Sequence, residues 1–152
     1  MDRPDLTPAH RSRVLCIADS YRRLSGRALV RADGDAVDAL WSAPLAIVAH
    51  GTEPDPVFFF GNRTALLLFE MDFGAFTRLP SRFSAEPLRQ AERLRLLERV
   101  GRCGLIEDYA GIRISATGRR FQISNAAVWN LTDGAGMAVG QAAAFATWND
   151  VP

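Results

Sequence analysis

The sequence predicts an α+β domain, with helices packed on one face of an antiparallel sheet and an N-terminal helical extension. Three observations carry this. Residues 111–148 read as three consecutive strands joined by tight turns, the first marked by Thr117 with Gly118 and the second by Asp133 with Gly134. Two further apolar runs, at 45–49 and 57–60, read as an earlier pair of strands. Between the two groups lies a helical middle that closes with an amphipathic pattern at 88–103.

Each element has its own signal. Thr7 offers a capping oxygen and Pro8 suits a first helical position, so a helix starts there. Val14, Ile17, Ala18, Tyr21 and Leu24 recur at helical spacing as one narrow apolar stripe, and Gly26 ends the helix. That stripe must cover either the sheet or a second copy of itself. A shorter helix at 36–42 stops before Pro44. Residues 1–43 form the extension and residues 44–150 the main domain, as one folding unit. The run at 45–49 suits a buried strand, GTEPDP is turn chemistry, and the run at 57–60 is bounded by Pro56 and Gly61. Asn62 caps a helix carrying Leu66, Leu67, Leu68 and Phe69. Gly74, Pro80 and Pro87 break the next stretch into short helical turns. In the helix at 88–103, Leu94, Leu96, Leu97, Val100 and Cys103 share one side, with mixed charges opposite and Gly104 as the stop.

The strand at 119–131 predicts its own faces. Phe121, Ile123, Asn125, Ala127, Trp129 and Leu131 alternate on one side and form the expected core face. Asn125 is then alone among apolar neighbours. The last strand repeats the pattern, with Gln141 among Met137, Val139, Ala143 and Phe145. A buried amide without partners costs about 1–3 kcal/mol. These two amides therefore bond to backbone, to each other or to water, or they line a ligand pocket.

Composition excludes several functions. The 152 residues include 18 basic side chains, all arginine, against 17 acids, for a net charge of +1. This balance gives no electrostatic case for nucleic acid or for an anionic membrane. Cys16 and Cys103 are far apart, form no metal-ligand pair, and suggest no disulfide framework. The first ten residues lack the apolar run of a signal peptide and no segment is long enough to span a bilayer, so a cytoplasmic location is expected. Catalysis finds little support. Ser115 and Ser124 lie in strands without a glycine elbow, and adjacent Glu107 and Asp108 point to opposite faces of a strand. Trp129 and Trp148 offer planar stacking surfaces, with core packing as the ordinary use of such residues.

Several ordered motifs go further. They are ALLLFE at 65–70 with the preceding Asn62, LPSRFSAEP at 79–87, YAGIRIS at 109–115, GRRF at 118–121, VWNL at 128–131 and GQAAAF at 140–145. The element order resembles that of a PAS domain, and the motif set resembles the MEKHLA-domain family, a PAS-like group. The family's namesake hexapeptide is absent, as in a short stand-alone bacterial-type member. The resemblance implies a five-stranded antiparallel sheet and a sensory or protein-interaction role. It also implies a homodimer through the N-terminal helix, with Val14, Ile17, Ala18, Tyr21 and Leu24 at the interface.

The expected function is a non-enzymatic, PAS-like small-ligand sensor that signals through a separate partner protein. Its pocket would take a small apolar or planar ligand, with Asn125, Gln141, Trp129, Phe121, Asn62 and His50 as candidate lining residues. The alternatives are a ligand-free interaction module and a small enzyme on an α+β fold. The cofactor, if any, is unknown. A cysteinyl-flavin photosensor would need a cysteine directly after Asn62, where Arg63 stands, and a haem sensor would need a histidine on a pocket-facing helix.

Overall fold

The computed structural model describes residues 1–31, 33–86 and 90–152. Its strands are β1 (Ala46–His50), β2 (Phe58–Gly61), β3 (Leu105–Ile114), β4 (Arg120–Thr132), β5 (Ala138–Phe145) and β6 (Thr147–Asp150). The helices are α1 (Pro8–Ser25), α2 (Ala36–Ser42), α3 (Arg63–Phe69), α4 (Phe73–Phe76) and α5 (Gln90–Cys103), with a 3-10 turn at Ser81–Ser84. The predicted start of the last helix at Leu88, and the break at Pro87, lie outside the described residues.

All strand pairs are antiparallel, in the order β2-β1-β5-β4-β3. The fold class is therefore α+β, as the sequence predicts, with a short sixth strand added. That strand, β6, pairs with Phe121, Ile123 and their neighbours at the start of β4, whereas β5 pairs with the end of β4. β5 and β6 thus lie in line and are interrupted at Ala146.

The interruption matches a bulge in β4. Asn125 has φ 52, left-handed backbone that asparagine tolerates better than branched residues, and the β3–β4 register shifts beside it. The extra residue inverts the alternation. Phe121 and Ile123 before it share one face with Ala126 and Val128 after it, while Trp129 and Leu131 turn to the other face. The single odd-numbered core face is therefore corrected to two half-faces. Asn125 is exposed at the bulge and is not buried among apolar neighbours.

The helices after the first strands, α3 to α5, cover one face of the sheet, as the sequence predicts, and the N-terminal extension covers the other. α1 and α2 lie on one face, where Val14, Ile17, Tyr21, Val37 and Leu40 pack on Ile47, Trp129, Leu131 and Ala144. The caps of α1 are those the sequence signals: the Thr7 side chain accepts from the His10 amide, and Gly26 closes in left-handed geometry. The apolar stripe of α1 is thus used within its own chain. Val14 and Ile17 are 0% exposed, so they are not free to form a dimer seam, and Tyr21 is buried beside them. Of the predicted interface residues only Leu24 is exposed, and Ala18 is half-buried.

The second face carries α3, α4 and α5. Leu66, Phe69 and Phe76 pack on Phe58, Phe121 and Phe145, and Leu96 with Val100 packs on Ile106 and Val128. Leu94, expected on the apolar side of α5, is exposed, and Arg93 is buried in its place with Leu96 and Val100. Among the described residues no helix is long and apolar enough to cross a membrane.

Candidate functional site

A cavity of about 60 Å³ lies between the second face of the sheet and α5 with the 3-10 turn. Its walls are mainly apolar: Val48 from β1, Phe58 from β2, Phe69 from α3, Leu96 and Leu97 from α5, and Ala143 and Phe145 from β5. Seven polar side chains join them: His50, Ser81, Ser84, Arg93, Tyr109, Arg113 and Gln141. Gly140 supports this end of the sheet. A Cβ there would meet the His50 carbonyl oxygen at 2.0 Å, so only glycine lets β5 pass β1 beside the pocket.

Arg93 dominates the electrostatics. Its residue is 6% exposed and its guanidinium donates to the Ser81 hydroxyl. Burial, and next the charge of Arg113, bring its pKa down to about 10. Arg113 itself donates to the Ile112 carbonyl at 2.9 Å and to the Tyr109 hydroxyl at 3.0 Å. Neither arginine has an acidic side chain of the described residues within 4.0 Å. Arg93 and Leu97 also border a groove on the outside, beside Pro54, Pro56 and Leu94. Arg93 therefore stands between the cavity and the surface.

His50 lies at the end of β1, as the sequence places it. The Gly51 carbonyl, an acceptor at 2.9 Å, fixes a proton on Nδ1, and the buried Nε2 has no partner among the described residues. Burial, reinforced by the charge of Arg93, holds its pKa below the usual 6.5. The Ser84 hydroxyl donates to the Ser81 carbonyl at 2.7 Å, and the Ser81 hydroxyl accepts from Arg93. Both serines are committed away from the imidazole, so the pocket contains no hydrogen-bonded nucleophile–base pair among the described residues.

The structure separates the six sequence-predicted pocket residues. His50 and Gln141 line the cavity. The Gln141 amide donates to Asn130 Oδ1 at 2.9 Å and reaches the Leu97 carbonyl at 3.4 Å, while Asn130 donates to the Val100 carbonyl at 3.1 Å. This pair ties α5 to the sheet. Phe121 is fully buried one layer back, against Phe69 at 5.3 Å between ring centroids. Trp129 lies on the opposite face, where its indole donates to the Ile17 carbonyl at 3.1 Å. Asn125 is outside, at the bulge.

Asn62 is a structural bracket. It accepts from the Ile47 and Ala65 amides and donates to the Leu40 and Leu45 carbonyls, all at 2.8–3.0 Å. Its two donors and its acceptor oxygen are occupied, which leaves it nothing to offer a ligand. The residues that sequence reasoning missed are Arg93, Arg113, Tyr109, Ser81 and Ser84. One signal for Arg93 was present. It lies three residues before Leu96 and seven before Val100, on the apolar stripe of α5. Neither cysteine lines the cavity.

Solved structures share this architecture. A PAS domain from Colwellia psychrerythraea superposes with a TM-score of 0.60 at 14% identity, over 75% of this chain and 92% of that one. An RNA-binding light-oxygen-voltage receptor matches with a TM-score of 0.59 at 16% identity, over 71% of this chain and 30% of that one. A light-oxygen-voltage domain studied with a flavin analogue matches at 0.53 and 22% identity, over 79% of this chain and 87% of that one. These likenesses establish a PAS-like fold. No curated protein matches the chain. The model of the MEKHLA domain matches residues 11–150, nearly the whole chain, with all of α1 but its first three residues and every strand inside the match, and the chain belongs to the MEKHLA domain family.

Proposed function

We propose that this protein is a non-enzymatic sensory domain that binds a small molecule in the cavity beneath α5 and passes the signal to a separate protein. One observation carries the reading. The second face of the sheet keeps a cavity bordered by a buried arginine that has no acidic side chain of the described residues within 4.0 Å, Asp55 acting on it only from further away, while the first face is filled by α1 and α2. Natural cores pack densely and pair their buried charges, so an open volume beside an unpaired cation marks a place for a ligand. α5 is the element a ligand would move. It is held by Leu96, Val100 and the Gln141–Asn130 pair, and its other residues are mostly exposed.

The cavity is small. About 60 Å³ corresponds to roughly four water sites, and a cavity near 150 Å³ is what accommodates benzene. A tricyclic flavin or a haem does not fit this volume, so the expected planar ligand gives way to a smaller one.

The test is a thermal-shift screen of neutral and anionic compounds of up to about five heavy atoms, followed by amide hydrogen exchange. At least one compound should raise the melting temperature in a saturable way and slow exchange in α5. A screen with no saturable response would sink the sensory reading in favour of a ligand-free module.

A further inference from the structure

Resting on that ligand-binding reading, we propose that the cavity takes a short-chain carboxylate of two or three carbons. Its anionic head would face Arg93, with Arg113 as a second cation, and its hydrocarbon tail would lie against Val48, Ala143 and Phe145.

The chemistry of the cavity selects this class. Arg93 is more than nine-tenths buried, and its partner among the described residues is one neutral hydroxyl. Arg113, on the same cavity, bonds to a carbonyl and a phenol. Residues 32 and 87–89 contain no acid, so no carboxylate of the chain within 4.0 Å answers either charge. Elsewhere the chain does pair its arginines: Arg11 with Asp35, Arg27 with Glu107, and Arg120 with Glu86. A buried cation beside a second cation is unfavourable until an anion arrives.

The walls decide which anion. A phosphate presents oxygens on every side and would set several of them against Val48, Phe58 and Phe145. A short carboxylate has one polar end and one apolar end, as the cavity has. The volume, roughly four water sites, admits a chain of this length. Access is available at Arg93 itself, which borders both the cavity and the outer groove.

Matched series test the proposal. Acetate and propionate are titrated against the wild-type protein at constant ionic strength, alongside acetamide and propionamide, with inorganic phosphate as a third arm. Apparent dissociation constants come from the thermal shift. The best acid should bind at least tenfold more tightly than its amide, as a charge-assisted bond in a buried site predicts. Arg93→Met should abolish that preference, and Arg99→Met, on the outer side of α5, should retain it. If Arg93→Met melts poorly, Arg113→Met supplies the second reading, with the acid preference reduced severalfold. Amides that bind as well as their acids, or phosphate that binds better, overturn the carboxylate and leave a ligand pocket standing. Silence of all three series, with a response to some neutral compound, does the same. Silence of these series and of the wider screen overturns both readings.

Discussion

The two faces of the sheet are built to different rules. On the α1 face the core side chains are buried and three polar groups among them are answered. The Trp129 indole bonds to the Ile17 carbonyl, the Tyr21 hydroxyl donates to Glu107 at 2.9 Å, and the Ser20 hydroxyl accepts from the Thr132 amide at 3.0 Å. On the α5 face a cavity remains, and among the described residues buried Arg93 has no acid within 4.0 Å and the imidazole Nε2 of His50 has no partner. The same strands serve both faces, because the Asn125 bulge sends Val128 to one and Trp129 to the other. One face supplies stability and the other gives some of it up. That division is what a ligand-responsive domain needs.

The largest expected effect is on the filled face. Trp129→Ala removes a side chain with no exposed surface and an indole hydrogen bond, and should cost about 3–5 kcal/mol in urea denaturation. A loss below about 1 kcal/mol would mean that the α1 face is not the close-packed core described. Next is the bracket between α2, β1 and α3. Asn62→Ala strips a cap and leaves two amides and two carbonyls unanswered, at about 2–4 kcal/mol in the same measurement. Its ligand response should survive wherever the protein stays folded.

The pocket face should behave in the opposite sense. Arg93→Met replaces a buried charge by an apolar chain of similar length, so stability should stay level or rise by about 1 kcal/mol. A large destabilisation would show that Arg93 also serves packing, and Arg113→Met then carries the ligand test. The smallest effect is a pH dependence from His50. Its folded pKa lies below the unfolded value near 6.5, so above that pH both states are neutral there and contribute no slope. Below it the unfolded chain takes up a proton that the folded chain refuses, and stability falls until the pH reaches the folded pKa. The groups acting on His50 besides burial and the Gly51 carbonyl are Arg93, which opposes protonation, and Glu53, which favours it. His50→Gln should flatten this part of the wild-type profile between pH 5 and 7. An unchanged profile would place His50 in contact with water.

Much of the fold was legible from short-range signals. The Thr7 and Asn62 caps, the Gly26 stop and the glycine turns act within a few residues, and each is where local chemistry puts it. The β4 faces were not legible, because strict alternation assumes an unbroken ladder. A bulge at Asn125 depends on the register with β3, a long-range property. The same blindness applied to α1. Its stripe shows an apolar face, and whether the sheet or a second copy covers it is a tertiary outcome. Within the site, His50 and Gln141 followed from strand placement. Arg113 and Ser81 could not, since only the packing of the 3-10 turn and α5 over β3 and β5 brings them to one cavity.

The contrast between the two faces can be read in a single titration. The side-chain Nε–Hε signal of Arg93 and the side-chain amide of Gln141 report on the cavity, and the indole Nε1–H signal of Trp129 reports on the opposite face. In a ¹⁵N-resolved NMR titration with propionate, the Arg93 and Gln141 signals should move saturably while that of Trp129 holds still. Movement at Trp129 with the other two unmoved would contradict the proposal that the α5 face is the ligand-binding side, and no saturable movement at all would contradict the carboxylate.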